Sequence, residues 1–224
     1  MIKNSEKIDA IISDLEDKLD GDFSVRENDS FLSNKQKEIK SFLDIHRIKY
    51  LIHFTDRQNI PSILKHGILS VEELKKRKIE YVFNDVNRQD NETDYISLSV
   101  SNMNQFVYRS FRYDKESIKH GVAIVIDAKI LYKEINVSRY YCNTNAANNE
   151  VCKGDEIDDL EKMFSEVVNY SMDDETERYY DRSIDKRKSY ETTDMQAEIL
   201  WKNNVPINYI MCCWDLENDF FYNN

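Results

Sequence analysis

The chain has 224 residues, 41% of them hydrophobic, and a formal net charge of −11 at pH 7. This composition predicts one globular domain, with or without an extension. Its four Gly and two Pro argue against a Gly-rich phosphate loop and against a disordered chain. No run of 18 apolar residues and no apolar segment behind the charged N terminus is present, so neither a membrane span nor a secretory signal is expected.

Residues 1–45 are predicted to form a helical N-terminal extension of a domain that covers residues 46–224. The first predicted helix has an apolar stripe made of Ile8, Ile11, Ile12, Leu15 and Leu19. Gly21 ends this helix, and a second helix is predicted from Asn34 to Ile45. We interpret the extension as a packing element, with a partner-binding arm as the alternative.

Residues 48–70 are predicted to form a strand, a sharp turn and a short helix. Thr55 or Asp56 can cap this helix, Pro61 fits its first turn, and Gly67 supplies a left-handed end. His53 therefore lies where a strand meets a helix N-terminus, a place that suits an anion or a nucleotide. From the pattern alone, a buried core histidine and a capping threonine are the preferred interpretations.

The middle of the chain is predicted to alternate strands and helices. The predicted elements are a helix at Val71–Lys78, strands at Tyr95–Val100 and Gly121–Asp127, and a helical turn at Ile130–Glu134. The Asn-rich stretch from Tyr140 to Asn149 is predicted to be a polar loop, because Asn tolerates unusual backbone angles.

The segment from Asp155 to Glu177 contains ten acidic residues and a single lysine. The rest of the chain is therefore close to neutral, and the net charge is a poor guide to the surface near any site. An inward apolar stripe predicts a helix here; it consists of Ile157, Leu160, Met163, Phe164 and Val167. Two strands, Met195–Trp201 and Ile207–Trp214, are predicted to close the chain.

The four cysteines have no spacing that is typical of a metal site. They are Cys142, Cys152, Cys212 and Cys213. We interpret them as reduced core thiols of a cytoplasmic protein, with a zinc site as the alternative.

Two stretches, Asn104–His120 and Arg178–Tyr190, combine aromatic with cationic side chains. Such stretches can stack on bases and hold phosphates, and they can equally be half-buried elements with a solvated face. They supply the candidate substrate-binding residues Tyr108, Arg109, Arg112, Arg182, Lys186 and Arg187.

Glu198 stands inside an otherwise apolar strand, beside Ala197 and Ile199. A carboxylate in such a place is costly unless it is paired, exposed at an edge or used in function. Spacing alone favours a solvent-facing glutamate on the outer face of an edge strand.

Several short blocks of the sequence, in the same order, resemble the DarT-type DNA ADP-ribosyltransferases. The blocks are His53-Phe-Thr55 with Asn59-Ile-Pro-Ser-Ile-Leu and Gly67-Ile-Leu-Ser70, Phe83-Asn-Asp85 with Arg88, Ile96-Ser-Leu-Ser99, Asn143-Thr-Asn-Ala-Ala147, and Gln196-Ala-Glu-Ile-Leu200. The N-terminal extension, the acidic charge and a looser block between Ser101 and Arg112 depart from the family pattern.

The resemblance implies an α+β fold of the ADP-ribosyltransferase type, with two small sheets around a cleft that binds NAD, and with peripheral helices. It implies an NAD-dependent ADP-ribosyltransferase, a glycosyltransferase, that modifies a base in DNA, mostly single-stranded. Family members are toxins of toxin–antitoxin modules and act in phage defence. Their antitoxin carries a macrodomain that removes the mark, and neither a metal nor a membrane is implied.

The resemblance also assigns roles to residues. Glu198 would hold the ribose 2′-hydroxyl and stabilise the developing cation, and Arg88 would hold the pyrophosphate or the glutamate, or position the base. The expected NAD-binding residues are His53, Phe54, Thr55, Asn59, Ser62 and Arg88. Guanine and thymine both remain open as the modified base. Transfer to RNA or protein, NAD hydrolysis, and an inactive nucleotide-sensing module are the alternatives.

Overall fold

The computed structural model describes residues 29–82, 92–101, 120–171, 177–215 and 220–223. Within them the α-helices are α1 (Asn34–His46), α2 (Ile60–His66), α3 (Val71–Arg77), α4 (Ile130–Lys133) and α5 (Ile157–Lys162). Short 3₁₀ helices cover Asp29–Phe31, Arg57–Asn59 and Ile207–Tyr209. The predicted helix at residues 8–19 lies outside the described residues, and the predicted domain boundary stays a prediction.

Twelve strands are present in the described residues. They are β1 (Tyr50–Asp56), β2 (Ile68–Leu69), β3 (Tyr95–Val100), β4 (Gly121–Asp127), β5 (Arg139–Cys142), β6 (Lys153–Gly154), β7 (Val167–Ser171), β8 (Glu177–Asp181), β9 (Glu198–Lys202), β10 (Asn204–Val205), β11 (Ile210–Asp215) and β12 (Phe220–Asn223). Eight of them form one sheet in the order β12-β11-β4-β1-β3-β9-β5-β6, and β10-β2 and β7-β8 form two-stranded pairs. Every pairing between them is antiparallel, which confirms a mixed α+β chain.

The eight-stranded sheet divides in the middle. Strand β1 pairs with β4 over seven residues, from Tyr50 to Asp56, but it pairs with β3 only at Leu51 and Ile52. The two strands therefore separate after Ile52, and four strands lie on each side of this split. The structure differs from the predicted two small sheets because this short pairing joins both halves into one hydrogen-bonded sheet.

The segment that follows β1 folds as its local signals predict. The Asp56 carboxylate accepts a hydrogen bond from the Gln58 N–H at 2.8 Å and so caps the 3₁₀ turn. Pro61 lies in the first turn of α2, and Gly67 ends this helix with a φ of 76°. A Cβ atom on Gly67 would collide with the backbone oxygen of Val205, so close packing as well as the dihedral angle requires glycine here.

The largest core lies between one face of the sheet and the helices α1, α4 and α5. Trp201 and Tyr141 are among its fully buried side chains. A smaller apolar cluster of Tyr95, Cys142 and Leu200 covers part of the opposite face. Glu198 and Leu200 are two positions apart on β9, so Glu198 lies on this second face.

One prediction near the C terminus needs correction. The acidic helix ends at Lys162, and Val167, predicted to face inward, begins β7 with 39% of its surface exposed. The two predicted closing strands form, as β9 and β11, and they lie in different halves of the sheet. Of the four cysteines, three are buried as predicted, whereas Cys152 is exposed.

Candidate active site

His53 lies at the point where β1 leaves β3. Its Nδ1 is 3.0 Å from the backbone oxygen of Ser97 on β3. Because a carbonyl oxygen only accepts hydrogen bonds, Nδ1 carries a proton and donates it to Ser97. The imidazole thus bridges the two half-sheets just beyond the last residue pair that joins them.

Thr55 and Asn59 form a local hydrogen-bonded unit on the same segment. The Asn59 side-chain amide donates to the Thr55 hydroxyl at 2.9 Å and to the backbone oxygen of Val82 at 2.8 Å. Its carbonyl oxygen accepts from the Val82 N–H at 2.8 Å. Both donors of the Asn59 amide are therefore used inside the protein, and they fix the chain just before residues 83–91.

The other predicted NAD-binding residues of this segment differ in how far they are buried. Thr55 is buried, Phe54 is partly buried among apolar neighbours, and Ser62 is half-buried in α2. The predicted anion site at the helix start is taken in part by the Asp56 carboxylate. Directly after it, Arg57 forms an ion pair of 2.6 Å with the fully buried Asp215 at the end of β11.

Glu198 opens β9, an interior strand that pairs with β3 on one side and β5 on the other. It is partly buried, and its Oε1 accepts a hydrogen bond of 2.7 Å from the Ala146 N–H. The edge position that spacing favoured is therefore wrong. In the strand register Glu198 lies opposite Ser99, which lies opposite Ile52. Two strand spacings, about 10 Å, thus separate Glu198 from the backbone beside His53.

The Ala146 N–H belongs to the Asn-rich loop, residues 143–150, between β5 and β6. The sequence predicts that this loop begins at Tyr140, but residues 140–142 pair as part of β5. The Asn145 side chain accepts from the Ala147 N–H at 2.9 Å, and the Asn148 side chain accepts from the Glu150 N–H at 2.7 Å. None of the loop residues has a positive φ. The loop is polar as predicted, but its asparagines act as hydrogen-bond acceptors and do not adopt unusual backbone angles.

His53, Glu198 and the residues around them lie in a part of the chain that matches a known family. The family model described as "ssDNA thymidine ADP-ribosyltransferase, DarT" matches residues 52–214, well over half of the chain. The chain belongs to the DarT family. This membership confirms the predicted resemblance, and both His53 and Glu198 fall within the matched residues. The comparison with curated proteins returned no match.

Similar solved structures are those of DarT proteins. Thermosipho africanus DarTG in complex with ADP-ribose is 17% identical, with a TM-score of 0.49, over 75% of this chain and 44% of that chain, so this chain spans less than half of that protein. Thermus sp. 2.9 DarT in complex with ADP-ribosylated ssDNA is 13% identical over 74% of this chain and 80% of its own, with a TM-score of 0.47. The same DarT in complex with NAD+ is 13% identical over 72% and 79%, with a TM-score of 0.45.

Sequence reasoning about this DarT-family chain missed a buried polar cluster next to Glu198. Asp194 and Thr144 have no exposed surface, and the Thr144 hydroxyl donates to Asp194 Oδ2 at 2.5 Å. The other oxygen, Oδ1, accepts from the Gln196 N–H at 2.9 Å. Burial raises the pKa of the Asp194 carboxyl, and burial also raises the pKa of the neighbouring Tyr170 phenol.

A weak signal for this cluster exists in the sequence, since Thr192, Thr193 and Asp194 are polar residues directly before an apolar strand. Short polar side chains of this kind usually cap turns at the surface. Only the fold reveals that Asp194 is buried against a residue 50 positions away. Neither propensity nor spacing distinguishes a residue that caps a turn at the surface from a buried carboxylate such as that of Asp194.

The candidate substrate-binding residues Arg182, Lys186 and Arg187 differ in their burial and in their contacts. Arg182 donates to the backbone oxygens of Glu191 and Lys188 at 2.7 and 2.8 Å, and its guanidinium lies 5.6 Å from the centre of the Phe164 ring. Burial lowers the pKa of Arg182. Lys186 is exposed, with a φ of 52°, and Arg187 is half-buried.

Four predicted site residues lie outside the described residues: Arg88, Tyr108, Arg109 and Arg112. Among the residues that are described, no group of three or more His, Cys, Asp or Glu side chains is arranged to hold a metal ion. No helix in the same part of the chain is both long and apolar enough to cross a membrane.

Proposed function

We propose that this chain transfers ADP-ribose from NAD to a thymine base in single-stranded DNA, with Glu198 as the catalytic carboxylate. The proposal rests on the hydrogen bond between Glu198 and Ala146, which holds a carboxylate at the start of an interior strand. The strand and the loop that make this contact are two of the sequence blocks shared with the DarT family. The choice of thymine follows the family's description.

Transfer requires that the bond between nicotinamide and ribose C1′ breaks, with its electron pair going to nicotinamide. The ribose then carries positive charge, and a nearby carboxylate stabilises it. A nucleophile on the base forms a new bond to C1′ and loses its proton. In our proposal Glu198 holds the ribose 2′-hydroxyl and faces this developing charge. The Ala146 N–H binds one oxygen of this carboxylate and so favours one orientation of it.

We assign the NAD cleft to the split between the half-sheets. Since His53 Nδ1 donates to Ser97, its Nε2 is an acceptor in the neutral ring and suits a ribose hydroxyl. Phe54, Thr55 and Ser62 lie on the same segment of the chain, and we retain them as NAD-binding residues. Asn59 takes a different role, because both of its amide donors are used internally: it anchors the chain that leads towards Arg88.

Arg88 stays in our proposal as the residue that holds the pyrophosphate or orients Glu198. For the DNA strand we propose contacts from Tyr108, Arg109, Arg112, Lys186 and Arg187. Arg182 is reassigned to structure, because its guanidinium already binds two backbone oxygens and packs on Phe164.

We further propose that the chain is a cytoplasmic toxin of a toxin–antitoxin pair that acts in phage defence. Its partner would be an antitoxin with a macrodomain that removes the ADP-ribose. This part of the proposal rests on family membership alone.

Labelled NAD offered with separate substrate pools tests the assignment. The pools are single-stranded DNA with thymine, single-stranded DNA without thymine, duplex DNA, RNA and protein. We expect label only on thymine-containing single strands and none with Glu198→Gln. Label on RNA or protein would favour that alternative, and NAD binding without transfer would identify a nucleotide-sensing module.

A further inference from the structure

We propose that Thr144 is a positioning residue, which acts through the Ala146 N–H on the carboxylate of Glu198. This inference rests on the proposed function, since transfer is the reaction it concerns. Its physical content is that one buried hydroxyl, together with the pairing of β5 and β9, holds the loop that orients the carboxylate.

The contact that needs to be positioned is short and charge-assisted. The Ala146 N–H donates to Glu198 Oε1 at 2.7 Å, and a hydrogen bond to an ionised acceptor is stronger than one between neutral groups. Its direction depends on where the backbone of residues 145–147 lies. A displaced loop would therefore turn or release the carboxylate.

The internal contacts of the Asn-rich loop do not determine where it lies relative to β9. The Asn145 side chain binds the Ala147 N–H, the Asn148 N–H binds the Asn145 carbonyl, and Asn143 binds Cys152. These contacts join residues of the loop or its two ends. They set the loop's shape. The pairing of β5 with β9 places Cys142, the residue before the loop, opposite Glu198, and the loop residues beyond it need a further link to β9.

Thr144 links the loop to the turn that precedes β9. Its hydroxyl donates to Asp194 at 2.5 Å, 50 residues away, and both side chains are fully buried. The same carboxylate accepts from the Gln196 N–H at 2.9 Å, and the Asp194 carbonyl accepts from the Ala197 N–H at 3.1 Å. Asp194 thus holds the turn that begins β9 and, through Thr144, the loop that faces β9.

Loss of this hydroxyl has a specific consequence. The Asp194 carboxylate then keeps the Gln196 N–H and the Tyr170 hydroxyl as partners but loses one donor. A buried carboxylate that loses a donor is less well satisfied, so the loop shifts or water enters between Thr144 and Asp194. A displacement of about 1 Å at a catalytic group costs up to about 10²-fold in rate. We therefore expect a loss in kcat and little change in KM for NAD.

Four proteins test the inference by steady-state kinetics and thermal melting: wild type, Thr144→Val, Thr144→Ser and Thr192→Val. Valine keeps the shape of threonine without its hydroxyl, and serine restores the hydroxyl. Thr192 is the matched control, because its buried hydroxyl donates to the Asp194 carbonyl at 2.7 Å and not to the loop. Thr144→Ala replaces the valine variant if the latter does not fold.

We expect kcat to fall about tenfold or more in Thr144→Val, to recover to within about threefold in Thr144→Ser, and to stay within about threefold in Thr192→Val. In a Glu198→Gln background, Thr144→Val should add less than about threefold, because residues that act as a unit are not additive. An unchanged kcat in Thr144→Val would overturn the inference. An equal loss of kcat in Thr192→Val would also overturn it, since a general loss of packing around Asp194 would then explain the losses in both variants.

Amide hydrogen exchange at Ala146, followed by NMR, separates this inference from the proposed function. Exchange should become at least about tenfold faster in Thr144→Val and stay unchanged in Thr192→Val. This result is measurable even if the wild type transfers nothing, an outcome that would contradict the proposed function alone. Equal exchange rates in all variants would show that Thr144 does not hold the loop.

Discussion

The end of β1 and the start of β9 lie on opposite sides of the split, and their polar residues are held in different ways. Within the β1 segment, Asp56 binds Gln58 and Thr55 binds Asn59, at separations of two and four residues. Around β9, Glu198 binds Ala146 and Asp194 binds Thr144, at separations of 52 and 50 residues. The capping of the β1 segment needs only nearby residues, although His53 in this segment also binds Ser97 and Arg57 binds Asp215. The contacts around β9 exist only when distant parts of the chain have come together.

The largest expected effect concerns the long-range region. Glu198→Gln retains an oxygen for the Ala146 N–H but loses the charge, so transfer should fall by about 10²-fold or more. NAD affinity and the melting temperature should stay near those of the wild type, because the charge acts mainly on the transition state. Transfer rate, calorimetry and thermal melting on the same proteins check this.

Glu150→Gln is the matched control for this substitution. Glu150 belongs to the same Asn-rich loop and accepts a hydrogen bond from the Ser171 N–H through an exposed carboxylate. We expect full transfer activity in the control. Full activity in Glu198→Gln would remove Glu198 from the catalytic role.

The difference between these regions also explains which parts of the molecule the sequence predicts. Capping by Asp56, Pro61 in the first turn and the left-handed Gly67 are local signals, and the segment folds accordingly. The place of β9 between β3 and β5 depends on pairing across the whole domain, which spacing does not encode. The pattern therefore marks Glu198 as an unusual residue, whereas its catalytic role follows only from the family block.

Val167 shows how a correct apolar pattern leads to the wrong element. It continues the helical stripe of Leu160 and Phe164, which are buried, but it begins β7 and is exposed. Pairing of β7 with β8 decides this outcome, since tertiary contacts override the preferences of a short segment. Burial of Asp194 could not be predicted for the same reason.

A second prediction concerns His53, whose ring joins the end of β1 to β3. His53→Ala should weaken NAD binding about tenfold, the free energy of roughly one good hydrogen bond. Calorimetry of NAD binding measures this change. His46→Ala is the control, because its Nδ1 also contacts a backbone oxygen, that of Ser189 at 3.1 Å, far along the chain. Equal NAD affinity in wild type and His53→Ala would exclude His53 from the cleft.

A third prediction separates DNA contacts from structural cations. Lys186→Gln and Arg187→Gln should lower single-stranded DNA affinity and reduce the salt slope by about 0.7 for each lost phosphate contact. Arg182→Gln should instead lower the melting temperature, because the Glu191 and Lys188 oxygens lose their donor. Salt titrations of DNA binding and melting curves distinguish them. A flat salt response in the wild type would contradict DNA contacts by these residues.

The smallest effect is the pH dependence of stability that comes from Asp194. Because burial raises its pKa in the folded state, the folded protein binds this proton more readily than the unfolded chain. The stabilising contribution is complete below the ordinary pKa of an aspartate and is lost as pH rises through the folded pKa. Wild type should therefore lose stability relative to Asp194→Asn over this range. Melting temperatures of both proteins in a pH series measure the difference, and parallel curves would refute it.

The two tryptophans of the chain lie one in each half of the divided sheet. Trp201 is fully buried on β9, three positions after Glu198, and its indole N–H donates to the Asn204 carbonyl at 2.9 Å. Trp214 lies on β11, across β4 from the strand that carries His53. The molecule therefore has an intrinsic fluorophore for each half. Trp201→Phe and Trp214→Phe would each leave one emission signal, so that loosening of one half can be observed optically without an added label.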